Sequence, residues 1–284
     1  MNREIAVRVL LNTIAVEPNR WAKDQPPAHD LGRDILPRAR EAGFRRLEVW
    51  PHHAACKTAA ELRALRASAA EQEVDFPVLG AYPVFHLEGA AAEAERRRQF
   101  ELLEKAQALG ARWLKFFLGR LKGGEISPAQ LETTRARLAE WTARGRGLGL
   151  GFCAEIHGGT LLDPFDSGLR FLDAHPELEI RFCFQPCGDS AQEELEQRIA
   201  ALGRRIVHAH LSGGNERGRC RLKDAGLDWA RLLRALRAAN PEFLPSLEFV
   251  PGGFPAPGRP FDWGAALGDA VADARFVEEA LGGG

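Results

Sequence analysis

The stretch IVHAHLSGG, residues 206–214, is an apolar run of strand length that stops at Ser-Gly-Gly and carries two histidines, His208 and His210. Alternate residues of a strand point to the same face, so both imidazoles look the same way, at the end where strand becomes loop. The run is too short for a typical helix. Working outwards, seven similar runs are found: IAVRVLL (5–11), RLEVW (46–50), FPVLGAY (76–82), RWLKFFL (112–118), LGFCAEI (150–156), EIRFCFQ (179–185) and SLEFV (246–250). Each is rich in β-branched or aromatic residues. Between the runs lie Ala/Arg/Glu/Leu-rich amphipathic stretches that predict helices over 30–42, 59–73, 89–109, 128–145, 165–174, 190–203, 228–239 and 268–281. Several stop at glycine, as in EAGF, ALGAR and ALGRR. Parallel neighbours need a helical crossover each time, so strict alternation predicts an α/β protein built as a single (β/α)8 TIM barrel over 1–284. No linker divides the chain, and PGGFPAPGRPF (251–261) reads as a long loop after the last strand.

Bulk composition narrows the function classes. A hydrophobic fraction of 45% and a charged fraction of 27% are those of a folded globular chain. The 38 Lys+Arg nearly cancel the 39 Asp+Glu, so no global field draws nucleic acid or an anionic membrane, and neither is expected as a partner. Cys56, Cys153, Cys183, Cys187 and Cys220 are odd in number and form no Cys-x-x-Cys pair, so they read as reduced thiols. The start, MNREIAVRVLLNTIAV, has no cleavage signal and no membrane-length apolar span, which predicts a cytoplasmic protein.

In such barrels the active site lies at the C-terminal ends of the strands, so a polar residue closing an apolar run is the feature to seek. Strand 5 ends in Glu155-Ile-His157, strand 6 in Gln185, strand 7 in His208-Ala-His210, and strand 8 carries Glu248. Two carboxylates and an imidazole meeting at one mouth would repel, or stay costly to bury, without a cation. Glu155, His210 and Glu248 are therefore expected to hold Mn2+, Mg2+, Co2+ or Zn2+, with His208 beneath them as a support or a substrate contact. Lys115 shares a face with Trp113 and Phe117 and either points into the mouth or extends to solvent. Glu48 and Trp50 at the end of strand 2, His86 after strand 3 and His157 after strand 5 are candidate lining residues for a substrate. Asp163, Asp166 and Asp228 read as helix starts.

The order of Glu, acceptor, His and Glu on strands 5 to 8 resembles the xylose isomerase-like TIM-barrel superfamily, which includes sugar phosphate isomerases and epimerases, ketose 3-epimerases, inosose dehydratase-like proteins and endonuclease IV. AEIHGGTLLD (154–163), HAHLSG, LKDAGLDWARLLRAL (222–236), SLEFV and ADARFVEEAL carry the likeness. The resemblance implies a metal held by Glu155, Gln185, His210 and Glu248, with Glu155 and Glu248 as the acid/base pair for proton transfer next to a carbonyl through an enediolate. It also implies a small sugar or polyol substrate contacted by Arg217, with Arg219 as its rival, and by analogy a homo-oligomer. One departure stands out. The family usually has Asp at the end of strand 6 and His three residues later, where this chain has Gln185 and Gly188. The neutral amide weakens the expected metal site. It keeps two alternatives open: a catalytically altered barrel that binds a small ligand or partner without metal, and an inosose dehydratase-like lyase.

Overall fold

A parallel strand pair cannot be joined by a tight turn, so each strand must be carried back across the sheet before it meets its neighbour. The computed structural model, which describes residues 9–22, 25–187, 190–256 and 258–282, shows this arrangement closed on itself. The barrel strands are β1 (Leu10–Asn12), β2 (Arg46–Val49), β3 (Asp75–Ala81), β4 (Trp113–Phe117), β5 (Gly151–Glu155), β6 (Ile180–Phe184), β7 (Ile206–Ser212) and β8 (Leu244–Phe249). Each pairs in parallel with its neighbours in chain order, and β8 closes on β1 through Leu10 opposite Ser246. Around them run α1 (Leu36–Glu41), α2 (Pro51–Ala55), α3 (Ala59–Ala70), α4 (Gly89–Leu109), α5 (Pro128–Gly147), α6 (Phe165–Ala174), α7 (Gln192–Leu202), α8 (Trp229–Ala239) and α9 (Trp263–Ala280).

Local chemistry sets these boundaries. Thr58 and Ser127 accept from the third amides of α3 and α5, while Glu61 and Gln130 reach back to the capping amides. Gly110 ends α4 in the left-handed region at φ 80°, where a side chain would be strained. Asp228 caps α8 as the sequence suggested. Asp163 does not open a helix; its carboxylate closes the preceding turn by accepting from the Gly159 amide at 2.9 Å. The last helix starts at Trp263, ahead of the expected 268, because Asp262 accepts from the Ala265 amide. The short α2 directly after β2 had no counterpart in the sequence reading. Of the expected first strand, 5–8 lie outside the described residues, and the strand runs on to Asn12.

The helices seal the outer wall of the barrel with a continuous apolar layer, in which Trp141 meets Phe116 and Phe152 at 5.2 and 4.9 Å between ring centroids. Leu10, Val78 and Leu244 form a separate cluster against Trp113. They come from β1, β3 and β8, so they meet across the interior and plug the N-terminal end. Chemistry is thereby confined to the opposite end. Among the described residues no helix is long and apolar enough to cross a membrane.

The loop after β7 is held down by α9. Asp273, 1% exposed, accepts from the Leu222 amide at 3.1 Å and from Arg221 Nε at 3.4 Å. Burial outweighs both contacts and raises its carboxyl from 3.8 to about 6. The protonated form therefore favours the fold: its contribution is complete below 3.8 and is lost as pH rises through about 6. Asp273→Asn keeps an acceptor for Leu222 and cannot ionise. Its Tm should gain on that of the unaltered protein between about pH 4 and about pH 7. A Tm difference that does not change with pH would contradict this.

Candidate functional site

The strand register sets the site's depth. Lys115 on β4 lies opposite Cys153 on β5, Phe117 opposite Glu155, and His210 on β7 opposite Ser246 on β8. The β7–β8 register shifts between Leu247 and Phe249, a bulge that falls on Glu248. Glu48, next to last in β2, stands across the ring from β7.

Glu155, Gln185, His210 and Glu248 meet. His210 Nδ1 stands 3.6 Å from Glu155 Oε1 and 3.4 Å from Glu248 Oε1. The other ring nitrogen, Nε2, faces both oxygens of Glu48, at 3.0 and 3.1 Å. A carboxylate only accepts, so Nε2 carries a hydrogen, and Nδ1, turned toward the two other carboxylates, is the position that a second proton or a cation takes. The Gln185 amide lies across the same space. With its nitrogen inward, it is 2.7 Å from His210 Nδ1, 3.0 Å from Glu155 Oε1 and 3.3 Å from Glu248 Oε2. That orientation gives the two carboxylates a donor, which the carbonyl could not.

A second tier lies beneath. His208 Nε2 donates to Glu48 Oε2 at 2.9 Å, and Nδ1 faces the Leu244 carbonyl at 2.8 Å. Both its nitrogens face protein acceptors and the residue is fully buried, so in this structure His208 packs beneath Glu48 and His210. Lys115 does not extend to solvent: its side chain is 4% exposed, with Nζ 2.5 Å from Glu155 Oε2 and 4.0 Å from Glu48 Oε1.

The electrostatics follow from this packing. Burial alone would raise Glu48 and Glu155, but His210 and His208 facing Glu48, and Lys115 and His210 facing Glu155, hold both carboxyls below the ordinary carboxylate range. Burial would neutralise Lys115 and His210. Glu155 and Glu48 beside the lysine, and Cys183 with Glu48, Glu248 and Glu155 around the imidazole, reverse that and hold both pKa values well above ordinary. Proton and metal ion thus compete for one lone pair.

The remaining expected residues form the mouth or stand apart. His157 stacks on Phe117 at 4.3 Å between centroids, its Nδ1 2.6 Å from the Gly158 carbonyl. Trp50 is buried against His52, 4.4 Å away, and hydrogen-bonds Tyr82. His86 is half-buried between β3 and α4 and is not among the side chains that meet at the carboxylates. Arg217 sits at the exposed turn of a hairpin formed by Gly214–Asn215 and Gly218–Arg219. Its rival Arg219 lies over Phe249 and Phe254, at 4.6 and 4.2 Å, and feels the Glu248 charge. Gly188 lies outside the described residues. Glu48 was legible as a polar residue closing RLEVW, but its grip on both histidines was not. Tyr82 and Arg120, beside the mouth, were not singled out.

Fold and site together define a closed parallel barrel with a carboxylate-imidazole cluster at the C-terminal mouth. The family model described as xylose isomerase-like TIM barrel matches residues 36–267, and the chain belongs to that family. No curated protein matches it. Solved structures similar to it include the probable 3-DHS dehydratase AsbF involved in petrobactin synthesis from Bacillus anthracis, at 18% identity and TM-score 0.70 over 94% of this chain and 97% of that one. Another is D-psicose 3-epimerase with D-tagatose from Clostridium cellulolyticum H10, at 14% and 0.74 over 96% and 99%. A third is a xylose isomerase-like TIM barrel protein from Mycobacterium smegmatis in complex with magnesium, at 12% and 0.65 over 99% and 100%. At these identities the likeness is one of fold.

Proposed function

We propose that this chain is a divalent-metal-dependent enzyme of the sugar isomerase/epimerase type, moving a proton at the carbon next to a carbonyl of a small sugar or polyol through an enediolate. One observation carries the reading: Glu155, His210 and Glu248, from three strands, offer acceptor atoms all within 4.8 Å of one another. Acceptors crowded this closely in a dry interior need a shared cation or shared protons. The donor set fits a divalent ion, held by Glu155, His210 Nδ1 and Glu248, with the Gln185 carbonyl as a fourth ligand once its amide turns over. When bound, that ion would supply a fixed positive charge for the developing enediolate.

The protein's own residues divide the remaining work. Glu248, on the bulge and with no lysine on it, is the better placed group to take the proton. Glu155, charged and tied to Lys115 at 2.5 Å, faces the reacting carbons from β5 and passes to them a proton drawn from the Lys115 ammonium, which solvent restores as Glu248 gives up the proton it took. Glu48 holds the His210 ring so that Nδ1 points inward. Arg219, over the aromatic rim beside Glu248, is the better placed hairpin arginine to meet substrate. Trp50 and His157 wall the mouth.

The neighbour described as a probable dehydratase supports a second reading, a lyase that removes the same proton and then expels a β-hydroxyl. The two share their first step and differ in product.

The test is solvent exchange. Protein stripped with EDTA, then reloaded with Mn2+, is incubated in D2O with a panel of ketoses, ketose phosphates and keto acids and followed by proton NMR. Deuterium should enter next to the carbonyl only with Mn2+ present, and Glu248→Gln should abolish it. An epimer as product identifies the isomerase, an enone the lyase. Ligand binding without stoichiometric Mn2+ or exchange would overturn the reading in favour of a barrel that binds without catalysis.

A further inference from the structure

A second cavity opens beside the mouth, at the C-terminal ends of β2 to β4 between α2 and α4. It has a volume of about 370 Å3, and its walls include His52, Tyr82, Arg98, Lys105 and Arg120. Three of these are permanent cations, and their counter-charges can be assigned one by one. Arg98 is forked onto Glu95, with Nε and Nη2 each 2.7 Å from a carboxylate oxygen, and Nη2 also donates to the Tyr82 carbonyl at 3.1 Å. Lys105 pairs with Glu101, itself in the cavity wall, at 2.8 Å and donates to the Ala55 carbonyl at 3.1 Å. Arg120 is the cation left over. Among the described residues no carboxylate lies within ion-pair distance of it.

Arg120 is nonetheless held in place. Its guanidinium lies over the Tyr82 and Phe117 rings at 5.0 and 4.8 Å, which positions it without using its donors. Burial, with Arg98 nearby, lowers its pKa from the ordinary guanidinium value, although Tyr82, Glu155 and Glu95 pull it the other way. The same two rings face Lys115 Nζ at 5.6 and 5.5 Å, and Lys115 touches Glu155. Through the Phe117 ring, the Arg120 guanidinium and Lys115 Nζ are at most about 10 Å apart, a span that a five- or six-carbon chain ending in a carboxylate or phosphate reaches at roughly 1.3 Å per bond once a hydrogen bond is added at each end.

A planar guanidinium with free donors, anchored on aromatic faces in a cavity with one surplus positive charge, is suited to two oxygens of a single anion. We propose that Arg120 and the Tyr82 side of this cavity form the subsite for an oxyanion at the far end of the substrate, so that the substrate is a sugar acid or sugar phosphate rather than a neutral sugar. This rests on the proton-transfer reading for the substrate's other end, but the subsite itself can be tested without it.

Metal-free protein is titrated by calorimetry with inorganic phosphate, gluconate and sorbitol. At least one oxyanion should bind, and sorbitol should not; phosphate points to an ester and gluconate to an acid. Arg120→Gln should weaken that binding about tenfold or more. Arg120→Lys, which keeps the charge but loses the fork, should fall in between. Equal binding by Arg120→Gln and the unaltered protein, or no oxyanion binding by the latter, would sink the subsite. A separate Mn2+ titration of the unaltered protein tells the two readings apart. Oxyanion binding without Mn2+ binding would remove the metal reading and leave the subsite, and the converse would leave the metal reading alone.

Discussion

Lys115→Met is expected to lower the stability of the metal-free protein by about 3–5 kcal/mol, the size of effect seen when one partner of a buried ion pair is removed. Lys115 Nζ is 2.5 Å from Glu155 and 4.0 Å from Glu48, both 1% exposed. Methionine fills a similar volume but leaves Glu155 with His210 and the Gln185 amide, and Glu48 with His208 and His210, as their remaining partners. Mn2+ binding should respond in the opposite sense. A lysine charge about 4 Å from a divalent ion would oppose it by roughly 8 kcal/mol at an effective dielectric of 20, so its removal should tighten Mn2+ binding, and saturating Mn2+ should restore much of the lost stability. Urea unfolding with and without Mn2+, together with direct titration, checks both halves. Unchanged stability would remove the ion pair from the account, and weakened Mn2+ binding would mean that Lys115 orients Glu155 more than it repels the ion.

Gln185→Asp should tighten Mn2+ binding by about tenfold or more and destabilise the metal-free protein by about 1–3 kcal/mol. The amide nitrogen now lies 3.0 and 3.3 Å from oxygens of Glu155 and Glu248 and bridges two groups of like charge. Aspartate cannot donate there and adds a third negative charge to the cluster. Only a cation, or protons taken up on the carboxylates and His210, can then relieve the repulsion. Calorimetric titration and thermal melts of both proteins in EDTA give the two numbers. An unaltered Mn2+ affinity would show that residue 185 is not where the ion sits.

Much of the site was legible because parity within a strand is a local property. His208 and His210 share a face whatever the rest of the chain does, and Glu155 and Glu248 stand out as carboxylates inside apolar runs. What could not be read was which partner each would take. Glu48 meets His208 and His210 across the barrel interior, because closure brings the inward faces of β2 and β7 together. Lys115 reads equally well as buried or as extended to solvent until Glu155 is placed opposite Phe117 on the next strand. Arg217, in the hairpin turn, and Arg219, in the strand after it, are separated by Gly218, which permits several conformations, and their sequence spacing does not say which one reaches the rim.

By itself, the sequence determined the alternation of strand and helix, the closure that alternation requires, and the set of polar residues at the C-terminal mouth, because these depend on periodicity and on the need to bury apolar faces. Only the tertiary structure decided the pairings: Glu48 beneath both imidazoles, Lys115 on Glu155, Gln185 between two carboxylates, and Arg120 on two aromatic faces with no carboxylate among the described residues in ion-pair reach. Such pairings depend on distances of a few ångströms between residues tens to more than a hundred positions apart, and Coulomb and hydrogen-bond energies are set by that separation and by burial, neither of which is a property of the residue types alone.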